Sequence, residues 1–523
     1  MWAGCTRNPK MSLLTFKDKY QAVDQSTLVT NSTTALADDT AVSLSVTVET
    51  GDVLLIIYQA NNAYNQSYYQ YGAQYAVNIG GTDYGFTWDG TYYDNYCGRG
   101  VSFWVGTLPA GDYTIKGRFA SQSAGNAVSV SNRVLLALIF SGTEYGYVGD
   151  LADNNFITSS YPFVNDAPAS GAPTFTFTPS GPCVALFLYN MGNVKGATDF
   201  SYGKKAAIQI AGTDYGQAEK KGGQTNGSNS TFTFYIQSLN AVSTTVRGRV
   251  AAQVVGSGGV SVTRRQFAYL LFDPGTLADL VDDATQVSTN SNVLVDDPQA
   301  AINRTITDTR ELFMLGLGTV RHATPSSHPG MRYGLYCGSD LSHSRSGTYS
   351  ARAQSAATFY AVQKAAAAYT IKGRFSNNTG TSLAVVDARL LGALWFATAQ
   401  NITGAGGIVS AESFGTPGVL PGAVTLSPTG IESAEVFGAP AILPGAVTLE
   451  PPGIFSQEAF GLPEILIIPG EIRCVPQLSR FMAAMAVSKI KAATQTSLLE
   501  AVTATQQFKA AVQTSRLEVE CDE

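Results

Sequence analysis

Charge, histidine and cysteine are all scarce in this chain, and long apolar runs are missing. Charged residues make up 14% of the 523 positions and the net charge is −6, so no basic face for nucleic acid is advertised. The three histidines, His322, His328 and His343, lie close together in Ser/Pro/Gly-rich sequence and read as solvated loop residues rather than metal ligands. Cys5, Cys97, Cys183, Cys337, Cys474 and Cys521 are widely scattered with no C-x-x-C pair. Neither a disulfide framework nor a zinc site is expected from that spacing. No GxGxxG after a strand pattern, Walker loop, HExxH or GxSxG occurs, which leaves no motif for cofactor, metal or nucleophilic chemistry. The expectation is a protein that is not an enzyme and binds no cofactor. No run of about 18 apolar residues is present to span a membrane. Residues 1–21 also lack an apolar signal-peptide core, so synthesis in the cytoplasm without a conventional export signal is expected.

What is abundant is Gly, Ala, Ser, Thr and Tyr, arranged in repeats. Gly111-Asp-Tyr-Thr-Ile-Lys-Gly-Arg-Phe119 is echoed by VSTTVRGRV (242–250) and AYTIKGRF (368–375). The glycine inside it is Gly117, then Gly248, then Gly373, at spacings of 131 and 125. An Arg-led apolar run follows each: Arg133–Phe140, then residues 264–272 (RRQFAYLLF) and 388–396 (ARLLGALWF). Upstream, VTNSTTALADD (29–39), ITSSYPFVND (157–166) and VSTNSNVLVDD (287–297) align. So do the runs Val53–Tyr58, Val184–Tyr189 and Leu312–Leu317. IGGTDYG (79–85) matches IAGTDYG (210–216) and, less closely, YCGSDLS (336–342). A repeat of this length is a whole domain rather than a solenoid coil.

The organisation expected is therefore an N-terminal arm over 1–20, then copies at 21–147, 148–279 and 280–398. Ser43–Glu49 and Tyr113–Phe119 alternate polar and apolar as half-buried strands do, and Val53–Tyr58 suits a strand buried on both sides. Short strands with turn residues between them predict an all-β chain of antiparallel, jelly-roll-like sandwiches. Residues 353–368 are rich in alanine, but Thr358–Gln363 aligns with Val101–Val105 and Phe232–Ile236, so a strand is expected there. Residues 399–470 carry a Gly/Pro-rich repeat with a period of 23, starting at Gly407, Gly430 and Gly453. Residues 471–523 carry a nine-residue repeat with Phe481, Ile490, Leu499, Phe508 and Leu517 in one slot. Extended β structure is expected for both, with a helix left open for 479–520.

Two features invite a functional reading. Copy 1 is dense in aromatic residues with interleaved amides: Tyr64, Tyr68, Tyr69, Tyr71, Tyr75, Trp88, Tyr92 and Tyr93. Such faces bind sugars and other polar partners, because tyrosine combines contact area with a polar tip. The competing reading is packing inside the sandwich or against a neighbour. Asp83, Asp89 and Asp94 lie in the same region, and paired carboxylates can cleave glycans. The recurrence of Asp83 as Asp214 and Asp340 reads instead as a turn aspartate bonded to its own backbone.

Thr107–Arg118 followed by Arg133–Phe140 resembles the last strands of tumour-necrosis-factor-like jelly rolls. That resemblance implies trimers and is common in virus fibres. The 23-residue units, and segments such as SKIKAATQT and QQFKAAVQT, resemble repeats in structural proteins of tailed bacteriophages. The resemblance implies a virion fibre, spike or decoration protein whose partners are other virion proteins. It carries no family active site onto this sequence. Either three chains form a stacked homotrimer or the three copies of one chain close into a pseudo-trimer. A receptor-binding adhesin recognising host surface glycan is the alternative.

Overall fold

The computed structural model describes residues 12–398 except 26–28, 32, 65–72, 90–97, 123, 126, 150–155, 159, 161, 167–172, 193–203, 221–229, 253–259, 323–330, 347–353 and 378–382. Beyond these it describes only 402–403 and 426–427, which form a short parallel pair. The two families of short repeats therefore lie outside the described residues, apart from that pair. Residues 1–398 form one compact unit.

The structure is all-β, as expected. Copy 1 contributes β1 (Thr15–Asp24), β2 (Val29–Asn31), β3 (Ala37–Val48), β4 (Asp52–Tyr64) and β5 (Ala73–Ile79). It continues with β6 (Thr82–Asp89), β7 (Gly98–Thr107), β8 (Gly111–Ser121) and β9 (Val128–Ser141). One sheet has the order β1-β9-β4-β7, with β2 also on β9, and the other β3-β8-β5-β6. Every pairing is antiparallel, and from β2 onward the chain crosses between the sheets at every connection except the β5–β6 hairpin, which is jelly-roll topology.

Copy 2 repeats the plan with β10 (Tyr145–Gly149), β11 (Phe156–Thr158), β12 (Val164–Asn165), β13 (Thr174–Phe177) and β14 (Cys183–Gly192). Then come β15 (Lys204–Ile210), β16 (Thr213–Lys220), β17 (Thr231–Leu239), β18 (Thr244–Ala252) and β19 (Val260–Phe272). Copy 3 comprises β20 (Leu277–Asp283), β21 (Val287–Thr289), β22 (Val295–Ile306), β23 (Arg310–His322) and β24 (Met331–Tyr336). It ends with β25 (Asp340–Ser346), β26 (Gln354–Lys364), β27 (Ala367–Asn377) and β28 (Ala384–Ala397). The sheets β10-β19-β14-β17 and β20-β28-β23-β26 correspond to the first sheet of copy 1. The alanine-rich stretch is β26, so the alignment outweighs its helix propensity.

Residues 15–20 are not an arm. Phe16 and Leu14 are buried, and β1 pairs with β9 from Thr15 to Asp24. The three consecutive charged residues in Phe16-Lys-Asp-Lys-Tyr20 hide an edge strand whose apolar face is narrow.

Hairpin turns follow local chemistry. Gly80 and Gly81 have φ of 56° and 96°, and Ala211 and Gly212 have 49° and 94°. Two positive φ values in a two-residue loop define a type I′ turn, which matches strand twist. In copy 3 the connection lengthens to Cys337-Gly338-Ser339, which accounts for the weaker sequence match there.

The central strands explain the unbroken apolar runs. In β4, Leu54, Ile56 and Tyr58 face the interior of copy 1, while Val53, Leu55 and Ile57 face a second core. Strand β14 sends Ala185, Phe187 and Tyr189 inward and Val184, Leu186 and Leu188 to that same second core. Strand β23 does likewise with Leu312 and Met314 against Phe313, Leu315 and Leu317. A strand with period-two side chains can be apolar throughout only when both faces are covered. Here the second cover is the other two copies.

Candidate functional site at the common axis and the loop end

The second core draws on all three copies. At its centre Phe140, Phe272 and Phe396, at equivalent places in β9, β19 and β28, form a triangle. Their ring centroids lie 5.2, 5.4 and 5.1 Å apart, in tilted and edge-to-face pairs. The contacts around this triangle are cyclic. Strands β6 and β7 meet β10, β14 and β19; β16 and β17 meet β20 and β28; β25 and β26 meet β4 and β9. Each copy therefore offers one edge to the next, and copy 3 returns to copy 1. The geometry is a pseudo-threefold arrangement within one chain.

Polar bonds line each join. Between copies 1 and 2, Gln266 accepts from the Phe103 N–H (3.0 Å) and donates to the carbonyls of Gly85 (2.8 Å) and Phe86 (2.9 Å). Asn190 donates to the Val101 carbonyl at 2.6 Å. Between copies 2 and 3, the Glu219 N–H donates to Ser355 Oγ at 2.9 Å. Between copies 3 and 1, Lys19 Nζ lies 2.6 Å from Glu311 Oε1, and Gln25 donates to the Leu341 carbonyl at 3.1 Å.

Beneath each sandwich's own core sits a buried ionic group. Arg133, Arg265 and Arg389 occupy the same register of β9, β19 and β28 and are fully buried. Arg265 Nε lies 2.6 Å from both oxygens of Asp166. Arg389 Nε lies 2.8 Å from Asp297, and Arg133 Nε 3.4 Å from Asp39. A second aspartate supports two of them: Asp24 at 3.2 Å and Asp283 at 2.6 Å. Burial raises the Asp39 and Asp297 carboxyls above the usual range, against the pull of their arginines. Arg133 and Arg265 also donate to the carbonyls of Val130 (2.9 Å) and Val262 (2.8 Å), just before each arginine.

Tyrosine completes the group and accounts for the repeating glycine. Tyr58 donates to Asp39 at 2.8 Å and Tyr189 to Asp166 at 2.7 Å. Their rings lie on Gly117 and Gly248, where a methyl group would overlap the ring. In copy 3 the corresponding position of β23 is Gly316, and Tyr333 of β24 supplies the ring that lies on Gly373. Gly316 and Gly318 clear the space it needs. These arginine groups were not singled out from sequence. The available signal was the Arg that leads each apolar run together with an Asp ending each upstream landmark.

The aromatic residues of copy 1 separate into three sets. Tyr75 is fully buried in the copy 1 core, 6.2 Å from Tyr58, so it packs rather than faces a ligand. Trp88 is half-buried on β6, and the Arg264 guanidinium of copy 2 stacks over it at 4.1 Å. Arg264 has a φ of 50°, and Asn132 at the equivalent place in β9 has 47°. Tyr64 ends β4, and the structure describes its backbone only. Tyr68, Tyr69, Tyr71, Tyr92 and Tyr93, with Asp94, lie outside the described residues. The GTDYG aspartates are not simple turn residues. Asp83 pairs with Arg118 at 2.6 Å and accepts from Asn78, and Asp214 pairs with Arg249 at 3.0 Å. Each ties a hairpin to the strand carrying the repeated glycine. Of the histidines, His322 ends β23 and His343 lies in β25, while His328 lies outside the described residues.

Strand registers sort the connections into two ends. Asp52 faces Ser141, Val48 faces Gly111, and Ile79 faces Thr82 across a tight turn. At the opposite end Tyr64 faces Val128 and Ala73 faces Asp89, so segments 65–72 and 90–97 both leave from there. The chain enters β1 opposite Ser141 and leaves β28 at Ala397 opposite Arg310. Entry and exit thus share the tight-turn end.

No protein family matches this chain, and no curated protein sequence matches it. Solved structures are similar at low scores. One is PNGF-II, with a TM-score of 0.25 and 8% identity over 66% of this chain and 98% of that one. Another is from Sulfolobus Turreted Icosahedral Virus, with a TM-score of 0.17 and 11% identity over 68% and 83%. A third comprises tandem CBM51 modules of a family 98 glycoside hydrolase from Streptococcus pneumoniae, with a TM-score of 0.15 and 11% identity over 48% and 88%. Likeness at these scores carries no functional argument.

Proposed function

We propose that the chain is a non-enzymatic structural component of a bacteriophage particle, a fibre, spike or decoration protein in which one chain forms a trimer-like knob. The observation that carries this reading is the core shared by three jelly-roll sandwiches around one axis. Heterologous edges that close after three steps make a finished body, not a growing filament. The short C-terminal repeats support assembly with other virion proteins, since units that cannot bury their own apolar face must stack or pair. Entry and exit at the tight-turn end support attachment from that end, with the long connections presented away from the particle. Mass spectrometry of gradient-purified particles from a lysate of cells carrying the gene tests it. The chain is expected to co-sediment with the capsid and tail proteins. Its recovery only from the soluble fraction would refute the proposal.

A second reading, an adhesin for host surface glycan, is favoured by one observation. Both tyrosine-rich segments of copy 1 leave the sandwich at the same end. Replacing 65–72 with a Gly/Ser linker spares the buried Tyr58 and Tyr75. Particles should then assemble but lose host attachment; unchanged attachment sinks the adhesin. A glycan-cleaving role, centred on Asp89 and Asp94, predicts released reducing sugar that Asp→Asn changes abolish.

A further inference from the structure

The three joins of the ring occupy equivalent places but differ in chemistry. Leu138, Leu270 and Leu394 share one level of β9, β19 and β28, and their cross-strand partners are Lys19, Tyr145 and Ala278. At the next level the partners are Gln21, Tyr147 and Leu280. The same two slots thus hold Lys and Gln where copy 1 meets copy 3, two tyrosines where copy 2 meets copy 1, and Ala and Leu where copy 3 meets copy 2. Each pair suits what it faces. Lys19 meets the nearly buried Glu311 at 2.6 Å, and Gln21 Oε1 accepts from the Ala361 N–H at 2.8 Å. Tyr147 packs edge-on to Phe103, with centroids 6.1 Å apart. Ala278 and Leu280 pack against the apolar axial core.

The join between copies 3 and 1 is the one that no peptide connection spans. The other two are linked by the short segments 142–144 and 273–276. The open join is therefore the surface that a second chain can occupy during folding, the usual route by which repeat proteins misassemble.

We propose that these matched chemistries form an address code, in which the copy 3 edge accepts the first strand of copy 1 and rejects the equivalent strands of copies 2 and 3 from any chain. This rests on the closed-ring reading above. A wrong strand sets Tyr145 or Ala278 against the Glu311 carboxylate, and Tyr147 or Leu280 against the Ala361 N–H. Ala278 and Leu280 offer neither donor nor acceptor, and a tyrosine hydroxyl brings no positive charge to the carboxylate, so a buried polar group loses the partner it has in the native join. One such loss discriminates by roughly tenfold to a hundredfold.

The test uses full-length chain carrying Gln25→Cys and Leu341→Cys, two positions already in contact across the open join. Equal amounts of light and heavy-isotope chain are unfolded together and refolded at high concentration. The thiols are then joined with a short bismaleimide and the linked 25–341 peptides read by mass spectrometry. The parent should give almost entirely light–light and heavy–heavy links. When the heavy chain alone carries Lys19→Ala and Gln21→Leu, which is copy 3 chemistry, the mixed links should become asymmetric, light 25 on heavy 341 exceeding heavy 25 on light 341 about tenfold on the discrimination above. Lys19→Glu in the heavy chain should do the same, and adding Glu311→Lys to the light chain should abolish that asymmetry. Random mixing in the parent, or no link at all, overturns the closed ring and the code together. An unmixed parent with symmetric mixed links in the Lys19 variants, or asymmetry that persists in the charge-reversed pair, overturns the code alone.

Discussion

Replacing Phe272 with alanine should unfold sandwiches that do not contain it. Phe272 belongs to copy 2 and is fully buried, with Phe140 at 5.2 Å and Phe396 at 5.1 Å. Truncating a buried phenylalanine typically costs about 3–5 kcal/mol, since the site collapses only in part. Two of the three walls of that cavity belong to copies 1 and 3, so the loss falls on the whole ring. Copy 2 contains no tryptophan, whereas Trp104 lies in the interior of copy 1 and Trp395 in that of copy 3. With Trp2 and Trp88 changed to Phe, each remaining tryptophan can be made the sole reporter during denaturant titration. Both reporters should shift to lower denaturant together in Phe272→Ala. Phe140→Ala should add to it with a coupling of about 0.5–1.5 kcal/mol, as expected for rings in contact. A variant in which Trp104 and Trp395 keep their wild-type midpoints would refute the shared core. The copies would then be independent beads.

Three further outcomes follow from local geometry. Gly117→Ala places a methyl inside the Tyr58 ring and should destabilise by about 1–3 kcal/mol. Gly181→Ala, with open space around it, should stay within about 0.5 kcal/mol; calorimetry on the pair checks both. Asp166→Asn strands the buried Arg265 and should cost about 3–5 kcal/mol, while Asp166→Leu with Arg265→Met should recover most of it. If the double variant is no better than the single, packing rather than uncompensated charge is responsible. Burial raises the Glu311 carboxyl above its usual 4.5 despite Lys19. A folded-state value above the unfolded one gives stability that is full below pH 4.5 and lost as pH rises through the raised value. Thermal midpoints of Glu311→Gln should therefore fall less steeply than wild type from pH 4.5 upward, and a steeper fall would reverse the assignment.

The repeat makes most of the fold legible in the sequence. Landmarks such as Gly117, Gly248 and Gly373 fix strand order three times over, and an error in one copy is corrected by the others, as with the alanine-rich β26. The run Val53–Tyr58 signalled two buried faces, although the sequence could not say that the second cover was the same chain. Where single segments had to speak alone, the reading failed. Phe16-Lys-Asp-Lys-Tyr20 looked unfit for a core because an edge strand needs only one apolar face. Tyr75 looked like a ligand contact because tyrosine composition does not reveal which side of a strand it occupies. The arginine groups escaped notice because their members are separated by about a hundred residues, as Arg133 is from Asp39, and buried charge is rare enough to be discounted.

Copy 3 shows what joining the copies permits. In a trimer of identical chains, every substitution at the axis or in the core occurs three times, so a change must suit three places at once. Here the ring over the repeated glycine is supplied by Tyr58 and Tyr189 from the central strand in two copies. In the third it comes from Tyr333 on the neighbouring sheet, over Gly316 and Gly318. Copy 1 carries both tyrosines, Tyr58 and Tyr75, in contact. That is an arrangement from which either one alone can be kept. The Tyr333 hydroxyl lies near Asp297 without the direct bond that Tyr58 and Tyr189 make. The relocation therefore preserved the packing on glycine and gave up the hydrogen bond. Volume at that position, more than the hydroxyl, is what the fold has held constant. Tyr189→Phe should accordingly be tolerated far better than Tyr189→Ala, about 1 kcal/mol against 3–5 kcal/mol. Equal losses in denaturant titration would show that the bond to Asp166 is the essential part.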